Sequence, residues 1–251
     1  MRRDVQAIVL ILVGGALLRI SLTDMYLRYV KEGLRPALIA AGAILLVVGL
    51  ISAVRDGIRR PDRPAAAEEV PVGDDGHGHD DGHDHTGGPR VAWLLCLPVL
   101  ALFLIAPPAL GSYSAQRSDN VVAKPAAAND DAGFPPLPAG DPLTMTVSDF
   151  LIRAVWDTAS PLKDRTVRMT GFVTPGHGGT WYLTRMVISC CAADALARKV
   201  EVHGVAAPPA DTWVTVTGTW LPNGQLQQDD AMPQLTASAV ERIAAPREPY
   251  E

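Results

Sequence analysis

The sequence predicts an N-terminal α-helical membrane region of about three spans, followed by a C-terminal small β-barrel, OB-like, carrying one helix. Three observations lead there. The chain is 48% apolar overall, and within roughly the first 110 positions the apolar residues gather into long blocks. Between and after those blocks lie a His/Asp-rich tract and a Pro/Ala-rich tract with almost no large apolar side chains. From Leu143 onward the chain changes to short alternating runs separated by Gly- and Pro-bearing loops, the pattern of strands and turns.

The membrane region covers residues 1–110, with spans expected near 5–22, 36–54 and 91–110. Val5–Leu22 holds 18 residues, about 27 Å of helix and enough for a thin hydrocarbon core. Arg19 lies near its end, where its stem can snorkel to the headgroups. No small-x-small cleavage site follows Leu18 and a second apolar block arrives at once, so the first block reads as an uncleaved span. Pro36–Val54 carries no charge and begins with proline at a permitted first-turn position. Val91–Leu110 is interrupted by Pro98 and stopped by Pro107-Pro108, with Trp93 as an interface anchor and Cys96 inside the span as a small residue. Basic residues near the span ends set the expected orientation. Arg2, Arg3, Arg55, Arg59, Arg60, Arg63 and Arg90 fall on one side, against Arg28, Lys31, Arg35, Arg117 and Lys124 on the other. The larger set belongs inside, which puts the C-terminal domain outside a plasma membrane.

Within the 55–90 loop, the stretch 74–85 reads Asp-Asp-Gly-His-Gly-His-Asp-Asp-Gly-His-Asp-His. His77, His79, His83 and His85, with Asp80 and Asp84, offer imidazole and carboxylate ligands on a glycine-rich chain, a composition suited to zinc or another divalent transition metal. Ordering such a loop costs conformational entropy, so weak and transient binding is expected. The other reading is a solvated linker. The stretch 111–140 is expected to be a Pro/Ala-rich spacer.

In the domain 141–251, Ser148 is read as the N-cap of a helix whose apolar face is Phe150, Leu151, Ala154 and Val155. Five strands are expected at 165–174, 180–189, 198–205, 212–221 and 234–243. Nine Lys+Arg against twelve Asp+Glu give this domain a net charge of −3, which speaks against nucleic acid as a partner. The chain's three cysteines form no disulfide framework. Cys190 and Cys191, with Asp194 close behind, are candidates for a soft-metal site, a vicinal disulfide or thiol exchange. Neighbouring strand residues point to opposite faces, so such a site requires the chain to leave strand geometry here. A buried Cys beside a strand-end Cys is the plain alternative. His177 and His203 lie in or near loops and are further candidates.

The two spans, the His-rich loop, the further span, the run from Arg185 through Cys190-Cys191-Ala192-Ala193 to Asp194, and the Pro249-Tyr250-Glu251 segment together resemble a bacterial family of permease subunits of unknown mechanism. That resemblance implies a larger multispan permease as partner and a link to zinc. It assigns no catalytic residues, and no enzyme activity is expected. The leading expectation is an accessory subunit of a membrane permease complex handling divalent metal. Three spans lacking an intramembrane carboxylate or histidine show no ion path of their own. The alternatives are an envelope-anchored module whose barrel recognises a protein or glycan, and a thiol-redox protein.

Overall fold

The computed structural model describes residues 3–58, 97, 101, 105, 108–125, 134–225 and 227–251. His77, His79, Asp80, His83, Asp84, His85 and Cys96 lie outside the described residues, as does most of the expected third span. The chain forms two compact units: Met1–Thr23 with Arg35–Pro107, and Asp24–Leu34 with Pro108–Glu251.

In the first unit, helix α1 (Arg3–Leu22) packs against helix α2 (Arg35–Ile58). The stretch Val5–Leu22 of α1 and the stretch Glu32–Arg55, which runs from just before α2 into it, are long and apolar enough to cross a membrane, and only 17% and 11% of them is buried. A soluble core helix would hide most of its apolar surface, whereas here Ile44, Val47, Val48, Ile51 and Val54 face outward. The helix backbones meet at glycine. A Cβ on Gly14 would lie 2.9 Å from the Gly42 carbonyl oxygen, and one on Gly49 would lie 2.8 Å from Ile11 Cγ1. Such close approach is how helices associate where apolar burial supplies no driving force. The Arg35 guanidinium donates to the Ser21 carbonyl at 3.0 Å, tying the start of α2 to the end of α1.

The second unit is built on a sheet of β1 (Leu143–Thr144), β2 (Thr166–Pro175), β3 (Trp181–Val187), β4 (Leu196–His203), β5 (Trp213–Leu221) and β6 (Gln234–Arg242). Its order is β1-β2-β3-β4-β6-β5, and β2 also pairs with β5, so the last five strands close into a barrel. β4 and β6 are parallel and the other barrel pairs antiparallel, the five-stranded Greek-key arrangement of an OB-like barrel. Closure leaves these strands no open edge to aggregate through. The five expected strands all form, each within about two residues of its expected ends; the short β1 was not anticipated.

Val173, Leu183, Val200, Val214 and Leu235 fill the barrel. Helix α4 (Val147–Trp156) adds its Phe150, Leu151, Ala154 and Val155 face to the same core. Burying Phe150 and Leu151 completely stabilises the fold by about 1.5–3 kcal/mol each. The N-cap of α4 is Thr146, not Ser148: the Thr146 hydroxyl accepts from the Asp149 N–H at 2.9 Å. Ser148 is the second residue of the helix, where its hydroxyl donates to the Glu251 carboxylate at 2.6 Å. That carboxylate also accepts the Val147 and Ser148 N–H groups, so Glu251 completes the cap from a distant part of the chain.

The stretch 111–140, expected as an extended spacer, is folded against the barrel in its described parts. Helix α3 (Ser112–Gln116) lies on a second cluster with Phe172, Met186 and Tyr250. Asn120 then bridges the Ala231 carbonyl and the Lys199 N–H at 2.8 Å each. Further on, Arg153 stacks 4.8 Å above Phe134 and donates to the Pro135 carbonyl. Prolines and small residues built no core of their own here; they supply backbone groups that the barrel's polar side chains take up.

Candidate metal centre

β3 ends at Val187, and the chain then turns through Ser189 and Cys190 into a single 3-10 turn, Ala192–Asp194. The departure from strand geometry that a joint Cys190–Cys191 site requires is therefore present. Asp194 makes the turn. Its carboxylate accepts the N–H groups of Ser189 and Cys190 at 2.8 Å each and of Cys191 at 3.3 Å. Cys191 answers as N-cap residue, its carbonyl accepting the Asp194 N–H at 3.1 Å. With the loop folded this way, one ligand atom each from Cys190, Cys191 and Asp194 lies within 4.8 Å of the others. Both cysteines are free thiols, and Cys190 is exposed.

The electrostatics follow from the same bonds. The Cys190 thiol donates to Asp194, which pushes its pKa up to about 12, with the Cys191 side chain adding to the effect. Asp194 is held down to about 2, first by that thiol and then by the backbone N–H groups. At neutral pH the cluster is one carboxylate facing a protonated Cys190. A thiol in that state is a poor nucleophile, because thiolate is the reactive form. Two sulfurs and one carboxylate suit zinc and softer ions, since thiolate selects them. A cation would take the place of the Cys190 proton and leave a fourth position open to exchange.

A second segment pairs with the backbone of this loop and leaves Cys190 exposed. Val30 forms a β-bridge with Cys191, the Lys31 N–H donates to the Cys190 carbonyl at 3.1 Å, and the Ala192 N–H donates to the Tyr29 carbonyl at 2.7 Å. The segment Asp24–Leu34 is anchored by buried Tyr26 and Leu27, and by Arg247, which donates to Asp24 at 2.7 Å. Tyr250 joins the parts, donating to the Arg28 carbonyl at 2.8 Å and accepting the Leu110 N–H at 3.1 Å. Sequence reasoning missed this pairing entirely, and no local signal pointed to it. Arg185, named in the sequence only as the head of the run that carries the resemblance, is a strand residue lying 3.6 Å from Glu251 and 4.9 Å above Trp213. Its signal was visible: one charged residue in a strand whose other members are uncharged.

The two histidines do not join the cluster. His203 is 3.3 Å from Glu201 on β4, and His177 lies in the β2–β3 loop. Among the described residues, Cys190, Cys191 and Asp194 are the group with metal-ligand geometry.

Residues 140–251 match the family model described as the DUF1980 C-terminal domain, an uncharacterised bacterial family. The match spans the barrel and includes the whole Cys190–Asp194 loop. No curated protein matches the chain.

Proposed function

We propose that this chain is a membrane-anchored accessory subunit of a permease complex, whose barrel holds a thiophilic divalent cation, zinc or a chemical relative, at Cys190, Cys191 and Asp194. The observation carrying the reading is the convergence of those three donors within 4.8 Å on a loop that Asp194 itself folds. With two apolar helices ahead of the barrel, the site would work at a membrane surface. The multispan partner comes from the resemblance to permease subunits, and the His77–His85 tract would be a second, looser metal sampler.

Sidedness follows from connectivity. Asp24–Leu34 joins α1 to α2 and belongs to the same compact unit as the barrel, which supports a common side for loop and barrel. If both helices cross, the chain must return between Ile58 and Pro108, for which Val91–Ala106 is the apolar candidate. The excess of Arg and Lys on the other side then favours an extracytoplasmic place for the shared side. Thiol exchange is the weaker reading, because Asp194 keeps Cys190 protonated.

Gentle solubilisation of the tagged full chain tests the assignment. A multispan permease should co-purify, and the purified chain should carry about one zinc that a Cys190→Ser, Cys191→Ser double variant lacks. Metal content unchanged by the double variant rejects the site, and recovery of the chain without a permease rejects the accessory role.

A further inference from the structure

Away from the cysteine loop, the outer face of β2, β3 and β4 carries a cavity of about 580 Å³. Val173, Leu183 and Val200 point into the barrel, so their strand neighbours Thr174, Tyr182 and Lys199 point out, towards this space. Arg117, at the end of α3, and His177, from the β2–β3 loop, complete the lining, and among the described residues no Asp or Glu lines it. The Tyr182 ring and the Met232 thioether supply an apolar wall.

Lys199 is the informative residue. It is only 8% exposed, yet among the described residues no carboxylate lies within ion-pair distance of its ammonium. One of its three N–H groups donates to the Ser118 carbonyl at 2.6 Å, leaving donors for another acceptor. Asp119 opposes the desolvation of the ammonium at longer range without cancelling it. Across β3 from it, on the same cavity lining, the Thr174 hydroxyl is buried with no hydrogen-bond partner among the described residues. A buried cation and a buried, unpartnered hydroxyl on one cavity each cost stability unless something accepts from them.

We propose that this cavity binds a small organic oxyanion, a carboxylate or phosphate ester, with Lys199 as the buried counter-charge and Thr174 as a neutral donor. Arg117 and His177 hold the mouth of the site, and Tyr182 and Met232 cover the ligand's carbon skeleton. A volume of about 580 Å³ is in the range of small-molecule sites, about 300–1,000 Å³, and far exceeds a bare phosphate. The inference stands independently of the metal centre.

The test is calorimetric titration of the full chain in neutral detergent with citrate and with glycerol phosphate. At least one probe should bind saturably below millimolar concentration. Lys199→Met keeps the stem and removes the charge, and should weaken binding by about tenfold or more, the loss of one charge-assisted contact. Thr174→Val should weaken it by a few-fold while the ligand-free thermal midpoint holds or rises, because an unpartnered buried hydroxyl is removed, which keeps the test decisive even if Lys199→Met unfolds. Lipid phosphate offers the same chemistry. If phosphatidylglycerol in nanodiscs, at fixed ionic strength, abolishes binding that phosphatidylcholine permits, the occupant is a headgroup and the soluble ligand is overturned. Binding of neither probe, or equal binding by wild type and Thr174→Val, also overturns the proposal.

Discussion

The α1–α2 hairpin and the barrel solve the packing problem in opposite ways. In the hairpin, large side chains face outward and glycines face the neighbouring helix, so backbone meets backbone at Gly14 and Gly42. In the barrel, Val, Leu and Phe face inward, and long-range polar bonds from Glu251, Tyr250 and Asn120 hold the surrounding segments in place. The hairpin's stability therefore rests on the absence of side chains at its contact, and the barrel's on their presence.

Substitution should separate the two. Phe150→Ala should cost about 3–5 kcal/mol by leaving a cavity in the barrel core. A fall in the barrel's denaturant midpoint, with no change in hairpin packing by helix–helix crosslinking, would bear this out. Gly14→Leu should do the reverse. Overpacking at a 2.9 Å backbone contact should cost about 1–3 kcal/mol or more, losing the crosslinks while leaving the barrel's midpoint in place. Glu251→Gln should have a smaller effect, about 1 kcal/mol, from weakening a remote helix cap. If Glu251→Gln matches Phe150→Ala, the barrel is held by its clasps and not by its core.

The smallest structural effect carries the clearest chemical one. Asp194→Asn removes the carboxylate that holds the Cys190 thiol up at about 12, so its pKa should fall toward an ordinary value near 8.5. Iodoacetamide labelling of Cys190 at pH 8 should then accelerate by about tenfold or more, since thiolate is the reacting form. In the wild type, Asp194 is depressed to about 2 in the folded chain. Its contribution to the loop is thus complete above its unfolded value near 3.9 and is lost as pH falls through about 2. Protection of the Ser189 and Cys190 amides from hydrogen exchange should disappear over that acid window, and protection that persists below it would contradict the bonding described.

How much of this was legible in the sequence follows from the range of each interaction. The apolar blocks of α1 and α2 and the alternation in β2 to β6 are local periodicities, and the structure has them where the pattern put them. The turn at Cys190–Asp194 was half legible: the spacing raised the possibility, and the carboxylate that makes the turn lay inside the same short run. Ser148 and Thr146 are chemically equivalent as caps, and only the distant Glu251 decides between them by occupying the Ser148 hydroxyl. The pairing of Tyr29–Lys31 with the cysteine loop, and the folding of 108–125 onto the barrel, join segments far apart in the chain, and no local pattern encodes them.

The central claim is that Cys190, Cys191 and Asp194 act together on one cation. Cadmium titration of the full chain in detergent, followed by the thiolate-to-metal charge-transfer band, addresses it directly. The account predicts saturation at about one ion per chain with proton release from the thiols, and loss of the band in Cys190→Ser, Cys191→Ser at an unchanged thermal midpoint. An equal metal affinity in that double variant, or a wild-type chain that takes up no cadmium with both thiols reduced, would contradict it.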